Sequence, residues 1–287
     1  MKPIHTNGHQ KTEIYTYLSR RSLMKLIGVS IFGMGLGISA CDLSNADSAP
    51  TAKIKRESKM KSTQSNATIE TRIPPIDAAA PAEISTATFA LGWFWGPDSR
   101  FGSLEGIVRT RVGYSGGQKA DPTYRSIGDH SETLQIDFDP TRISYKKLLD
   151  IFWHEHDPTN RAWSRQYMSA IFYHDESQQK LALETMTIEE SRRNKKIQTE
   201  IVPFDRFYLA EDYHQKYQLR QRRQLMTEFK AIYSRNIDFV NSTAAARVNG
   251  YVGGHGKPEE ITANIERLGL SGAGQKRLLE ISNNWKN

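Results

Sequence analysis

Cysteine is almost absent from this chain of 287 residues, which carries only Cys41. A single cysteine excludes an intramolecular disulfide. Long hydrophobic runs are lacking too, because the apolar, glycine-rich stretch at residues 26–40 is too short for a comfortable transmembrane span. Aromatic residues are missing altogether from residues 42–83. Since such a segment cannot bury much surface, we expect a flexible linker there.

The basic balance of the chain raises the question of nucleic acid. The net charge is +7 and the pI is 9.3. Residues 1–41 hold five Lys or Arg and one Glu, so four of the seven net charges lie there and the remainder is close to balanced. A binding surface for nucleic acid needs clustered basic residues on the folded part. We therefore predict that nucleic acid is not a partner.

The first 41 residues resemble an export signal. Arg20 and Arg21 form a pair ahead of the apolar stretch, as in a twin-arginine signal, and Cys41 follows Ile-Ser-Ala, as in a bacterial lipobox. This order predicts an exported protein anchored by a lipid on Cys41 to the extracytoplasmic side of the bacterial cell membrane. The alternative is an ordinary signal followed by a chance cysteine.

From residue 84 onwards, strand and helix patterns alternate. Strands are predicted at residues 85–91, 107–114, 132–138, 169–173 and 199–203. Helices are predicted to begin near Pro97, after Ser144 and after Asp175, the last two being suitable N-caps. These elements predict an α+β fold, a ferredoxin-like two-layer sandwich around a small mixed sheet, at residues 84–217. A helical extension with a glycine-rich break at 249–256 is predicted for residues 218–287.

Three consecutive aromatic residues, Trp93, Phe94 and Trp95, follow Gly92 at the turn between the first strand and the first helix. Taken alone, they fit a hydrophobic plug at one end of a core. Residues 154–157, HEHD, contain metal-ligand types, but neighbouring residues on a helix cannot converge on one ion, so no metal is predicted. His130 is expected to position a loop.

Six sequence blocks point to a family because they occur in a fixed order. They are GWFWG (92–96), GYSGG (113–117), DPTYRSIGDHSE (121–132), HDPT (156–159), QYMSAIF (166–172) and FYLAEDYHQKY (207–217). Together they resemble peptide methionine sulfoxide reductase A, the family that reduces the S-epimer of methionine sulfoxide. The resemblance implies peptides or proteins containing methionine sulfoxide as partners, no bound cofactor, and a thioredoxin-like thiol reductant.

The resemblance also assigns the apolar side of a site. Phe94 and Trp95, which follow Gly92, match an aromatic cradle for the substrate methyl group. Trp93 occupies the position of the family's nucleophilic cysteine. In the family chemistry a thiolate attacks the sulfoxide sulfur and becomes a sulfenic acid. An indole offers no thiolate, so the resemblance predicts that this chemistry fails while Trp93 is present.

The polar side of the site is retained in the sequence. Glu132 matches the proton donor to the sulfoxide oxygen, and Tyr124 and Tyr167 match the two tyrosines whose hydroxyls hold that oxygen. A second departure lies in the loop before Tyr167, which is shorter than usual and has Ala162 where the family has aspartate. A C-terminal resolving cysteine is missing as well.

Three functions remain open from the sequence. The first is a working reductase, since cysteine, selenocysteine and tryptophan codons differ only in the third base and the natural residue 93 could carry sulfur or selenium. The second is a catalytically inactive pseudoenzyme that binds methionine sulfoxide through Phe94, Trp95, Tyr124, Glu132 and Tyr167. The third is a structural lipoprotein module whose pocket is filled by the indole.

Overall fold

The fold is given by a computed structural model that describes residues 73–285. The predicted signal, the predicted lipid anchor at Cys41 and most of the predicted linker lie outside the described residues. Within residues 73–285, no helix has the length and apolar character needed to cross a membrane.

Six strands form one mixed sheet. They are β1 (Ser85–Leu91), β2 (Ile107–Ser115), β3 (Ser131–Phe138), β4 (Ser169–Tyr173), β5 (Glu200–Pro203) and β6 (Tyr208–Leu209). Their order is β5-β4-β1-β3-β2-β6, and every pair is antiparallel except β4 with β5. The four inner strands have the order of a ferredoxin-like sheet, which confirms the predicted fold class. The two edge strands extend it on either side.

Ten α-helices accompany the sheet in the part of the chain that the structure describes. They are α1 (Pro75–Ala78), α2 (Trp95–Gly102), α3 (Tyr145–His154), α4 (Glu176–Arg193), α5 (Tyr217–Arg220), α6 (Arg223–Ile232), α7 (Asn236–Val240), α8 (Thr243–Val252), α9 (Pro258–Asn264) and α10 (Gly272–Asn283). Helix α3 packs an apolar face that includes Leu149 and Phe152 against Phe89 of β1. Burial of that face on the sheet stabilises both layers.

Both predicted N-caps are confirmed. The side chain of Ser144 accepts a hydrogen bond from the amide of Lys147, and that of Asp175 accepts one from the amide of Gln178. Each cap satisfies one of the amides that a helix start leaves without an intrahelical partner. Local sequence therefore placed the starts of α3 and α4 correctly.

Two predicted boundaries are wrong. Helix α2 begins at Trp95 rather than near Pro97, and the proline fits in its first turn because the amides there have no intrahelical partner. The predicted glycine-rich break starts later, since α8 continues through Asn249 and Gly250 to Val252. Asn249 is buried and caps a neighbouring amide, and a Cβ at Gly250 would lie 2.6 Å from the amide nitrogen of Ser103. Close packing on α2 thus keeps these residues helical.

The C-terminal helices are joined to α2 by a buried polar cluster. The Lys216 ammonium contacts Asp98 of α2 at 3.3 Å and the Thr110 hydroxyl at 3.1 Å. Asn249 of α8 donates to the other oxygen of the Asp98 carboxylate at 3.1 Å. Lys216 and Asp98 are both fully buried. Because a buried charge is costly without partners, this cluster fixes α2 against α8 and β2.

Candidate functional site

The site begins at the turn between β1 and α2. Gly92 has a φ of +93°, which glycine adopts readily and other residues rarely do, and it turns the chain out of the sheet. Trp93 follows and is 50% exposed, with its ring centroid 6.0 Å from that of Tyr167. The indole therefore lies at the surface, beside the start of α2, where the resemblance puts a nucleophile.

Phe94 and Trp95 take different positions. The Phe94 ring is almost fully buried and packs against Tyr114 and His214. Trp95 is partly exposed, stacks on Tyr217 with centroids 3.9 Å apart, and donates from its Nε1 to His214 Nδ1 at 3.2 Å. The stack and the hydrogen bond fix the indole of Trp95 at the wall of the site.

Glu132 lies on β3 with 3% of its surface exposed. Its Oε2 accepts a hydrogen bond from the amide of Phe94 at 3.2 Å, and its Oε1 accepts one from Gln166 Nε2 at 2.9 Å. Burial raises the pKa of the carboxyl, and the two hydrogen bonds only partly offset that effect. A raised pKa favours the protonated form, which is the form that can donate to an oxygen.

Two tyrosines lie beside this carboxyl. Burial and then a hydrogen bond with Tyr124 raise the pKa of Tyr167 to about 12, and the charge of Glu132 contributes in the same direction. Tyr124 is held through its amide, which donates to Glu211 Oε1 at 3.0 Å, and its ring is 4.6 Å from His214. The Tyr167 hydroxyl thus stays protonated at neutral pH, and both hydroxyls can donate hydrogen bonds. The structure brings together all three residues predicted to hold an oxygen.

Sequence reasoning missed three residues that hold these groups in place. Gln166 donates to Glu132, Glu211 accepts from the hydroxyl of Tyr114 at 2.7 Å and from the Tyr124 amide, and His214 accepts from Trp95. Each lies in one of the six sequence blocks. Burial lowers the pKa of His214, so its ring is neutral near pH 7. In the sequence, the only signal for these three residues was that each is a polar residue inside a matched block.

The loop before Tyr167 differs from the rest of the site in exposure. Ala162 is partly buried against a small apolar cluster that includes Met168 and Phe172. The next residue, Trp163, is 82% exposed, and its ring centroid lies 5.1 Å from that of Tyr167. The loop therefore presents a second indole to solvent beside Tyr167.

Histidines near the site have structural partners. His130 Nδ1 accepts from the Gly117 amide at 3.1 Å, and His130 Nε2 lies 2.8 Å from the Lys119 carbonyl oxygen. His154 and His156 contact the carbonyls of Asp150 and Phe152 respectively. Between residues 73 and 285, no group of three His, Cys, Asp or Glu could hold a metal ion.

The arrangement defines a class of protein. A buried carboxyl with a raised pKa and two tyrosine hydroxyls can donate hydrogen bonds to one polar oxygen, while aromatic rings next to them accept an apolar group. Such a set of groups suits a small apolar group that bears an oxygen atom, and the half-exposed indole of Trp93 lies beside it.

Comparison with known proteins agrees with this class. A family model described as peptide methionine sulfoxide reductase matches residues 85–248. The chain is 42% identical over 220 residues to the peptide methionine sulfoxide reductase of Drosophila melanogaster, covering 75% of this chain and 87% of that one. It is 43% identical over 173 residues to the MsrA of Methanosarcina acetivorans, covering 56% and 91%.

A solved structure is similar as well. Reduced Mxr1 from Saccharomyces cerevisiae is 30% identical and covers 50% of this chain and 89% of its own, with a TM-score of 0.47. The length of the family match and the identity to the Drosophila protein establish that the chain belongs to the peptide methionine sulfoxide reductase A family. This confirms the resemblance that the six blocks indicated.

Proposed function

We propose that this chain is an exported, lipid-anchored member of the family that binds S-methionine sulfoxide in envelope proteins and does not reduce it through a thiol. The single observation that supports this function most is the pairing of a complete oxygen-binding set, Glu132, Tyr124 and Tyr167, with Trp93 at the place of the nucleophile. Export and anchoring are supported by the paired arginines and the lipobox ending at Cys41.

Hydrogen bonding can account for recognition. The protonated carboxyl of Glu132 and the hydroxyls of Tyr124 and Tyr167 donate to the sulfoxide oxygen, which carries most of the negative charge of that group. A thioether has no such oxygen and would leave the buried carboxyl without a ligand partner. Discrimination against the analogue without the oxygen is expected to be strong for this reason.

Loss of turnover follows from the electron balance. Reduction of a sulfoxide to a thioether consumes two electrons, which the family takes from a thiolate that becomes a sulfenic acid. Residues 73–285 contain no cysteine, and a lipid on Cys41 would occupy the only thiol of the chain. The indole of Trp93 has no lone pair of comparable nucleophilicity.

Calorimetric titration of the full-length protein tests this function. N-acetyl-methionine amide is supplied as the S-sulfoxide, the R-sulfoxide and the thioether, and we expect binding of the S-sulfoxide at least about tenfold tighter than either. Glu132→Leu should remove the preference, whereas the control Glu184→Leu, on the exposed face of α4, should keep it. Absence of S-sulfoxide binding, or its reduction by the wild type with dithiothreitol, contradicts the proposal.

Reduction is a second candidate function, favoured by the Drosophila relative, which carries the name of the enzyme. It requires cysteine or selenocysteine at position 93 of the natural protein and a thioredoxin-like reductant. A yeast relative has been solved in complex with Trx2. Mass spectrometry of the protein from its source reads residue 93 directly and separates the two functions. The same spectra test the anchor, since a lipid should add its mass to the peptide that begins with Cys41.

A further inference from the structure

Three neighbouring aromatic rings at the site are here called the aromatic row. This aromatic row consists of Trp93, Tyr167 and Trp163, with centroid separations of 6.0 and 5.1 Å. Together these separations are at most about the length of three to four residues of extended chain. The two indoles belong to the two places where the sequence departs from its family. Both departures therefore alter the same surface.

A groove continues the aromatic row on the side of Trp163. It has a volume of about 480 Å³, and the residues that line it include Arg161, Trp163, Ser164, Met168, Gln198 and Glu200. Trp163 is 82% exposed, so its ring packs against little of the protein. Exposed aromatic residues next to a concave surface are typical of protein-binding sites, where Trp, Tyr and Arg contribute most of the affinity.

The groove carries unsatisfied polar groups and one net positive charge. Arg165 bonds to Glu200 with its Nη1 at 3.0 and 3.2 Å, so those two charges offset each other. Arg161 is exposed and forms no salt bridge with a carboxylate of residues 73–285. The hydroxyl of Ser164 is buried and has no hydrogen-bond partner among residues 73–285. A ligand that brings a carboxylate and backbone groups would complement this lining.

We propose that the groove binds the residues flanking the methionine sulfoxide in an extended polypeptide, with Trp163 as the apolar anchor and Arg161 as the partner of an acidic side chain on that flank. This inference rests on the proposed function, because the sulfoxide fixes the peptide at one end of the aromatic row. The protein then prefers oxidised methionines with an aspartate or glutamate nearby. The geometry suits a segment of several residues because Trp163 belongs both to the aromatic row and to the lining of the groove.

Binding of pentapeptides to the full-length protein tests the inference. N-acetyl-methionine-(S)-sulfoxide amide serves as the short probe, and the pentapeptides carry the sulfoxide at the centre with Asp or Lys two residues before or after it. We expect one Asp peptide to bind about tenfold tighter than its Lys counterpart. Trp163→Ala should weaken that peptide about tenfold and leave the short probe unchanged. Arg161→Glu should reverse the preference between Asp and Lys.

Trp285→Ala is the matched control, because Trp285 is also exposed but lies against Gly254 and Tyr251. It should leave every affinity unchanged. If the short probe binds and the Asp and Lys peptides bind equally, the groove proposal is wrong and the proposed function stands. If the short probe does not bind, the proposed function is wrong. The groove proposal is then overturned too unless the Asp peptide still binds and loses affinity in Trp163→Ala.

Discussion

Both carboxylate oxygens of Glu132 accept hydrogen bonds, whereas Trp93, on the other side of the same site, is half exposed and packs mainly beside Tyr167. Replacing Glu132 would leave the buried amide of Phe94 without its partner, which is costly. Replacing an exposed residue on a turn costs the fold little. Glu132, in the half of the site that we propose binds oxygen (the oxygen-binding half), is therefore part of the folded core, while Trp93 is not.

This difference supports the proposed function, in which the oxygen-binding residues are held in place without a nucleophile at position 93. Glu211, His214 and Tyr217 come from one segment after β6 and fix Tyr124 and Trp95. Their hydrogen bonds and stacking do not involve Trp93. In the loop at residues 160–165, Trp163 is likewise largely in solvent. The residues that hold this site in place are therefore distinct from the residue at position 93, so that chemistry and architecture are separable here.

Placing a thiol at position 93 is the most direct test of the contrast between Glu132 and Trp93. We expect Trp93→Cys to reduce an S-methionine-sulfoxide peptide with dithiothreitol at least about 10³-fold faster than the wild type. Its thiol would lie beside the start of α2, where backbone amides lower the pKa of a cysteine. Steady-state turnover with the purified full-length protein measures the effect.

Trp93→Ser is the control for that experiment, because it opens the same space without a thiol and should stay inactive. If Trp93→Cys binds the peptide but does not turn over, the oxygen-binding half alone does not preserve a competent site. The shortened loop at residues 160–165 would then be the cause. That outcome would contradict the separation of chemistry from architecture.

A stability experiment measures how much the buried polar cluster of Lys216 and Asp98 contributes to the fold. Lys216→Met leaves Asp98 buried without its cation, and we expect the free energy of unfolding to fall by about 3–5 kcal/mol. Lys180→Met removes only an exposed pair with Glu184 at 3.9 Å and should change it by less than about 1 kcal/mol. Denaturant unfolding monitored by circular dichroism measures both.

The same experiment in the Trp93→Cys background tests independence. Lys216 and Trp93 are not in contact, so the two effects on the free energy of unfolding should add within about 0.5 kcal/mol. A larger deviation would mean that the indole is coupled to the buried cluster under α2. The nucleophile position would then belong to the architecture after all.

Local patterns predicted much of the fold. Alternating residues placed the strands from β1 to β5, and Ser144 and Asp175 marked two helix starts, because these signals act within a few residues of one another. Strand β6 was missed since Tyr208–Leu209 has only two residues and pairs with Gly113 and Tyr114 from a distant part of the chain. The packing of Gly250 on α2 could not be predicted either, because it also joins distant parts of the chain.

The candidate site could be predicted only as far as the resemblance reached. Tyr124, Glu132 and Tyr167 were found through matched blocks, and no periodicity would have joined them. The roles of Gln166 and His214 depend on contacts with residues 34 and 119 positions away. The row formed by Trp93 and Trp163 with Tyr167 was likewise not predictable, because the conformation of the shortened loop decides it.

The smallest expected effect is a pH dependence of binding, which tests the oxygen-binding half by itself. Burial raises the pKa of Glu132, and in the proposed function the sulfoxide binds the protonated carboxyl. Affinity should therefore be greatest below that raised pKa and fall by up to about tenfold per pH unit above it, as the carboxyl must take up a proton to bind. Burial acts to raise the pKa of the neighbouring Glu211, but hydrogen bonds from the Tyr114 hydroxyl and the Tyr124 amide outweigh it and lower that pKa. Glu211 therefore stays charged over the pH range of the titration.

Glu132→Gln removes the titration and keeps a donor, so its affinity should be independent of pH between about 5 and 8. His214 is the other group near the site that could titrate in this range, but burial lowers its pKa, and it would become charged only on the acid side. A loss of affinity at high pH that persists in Glu132→Gln would assign the proton to another group. Glu132 would then not be the neutral carboxyl that binds the oxygen, and the proposed contrast between Glu132 and Trp93 would be wrong.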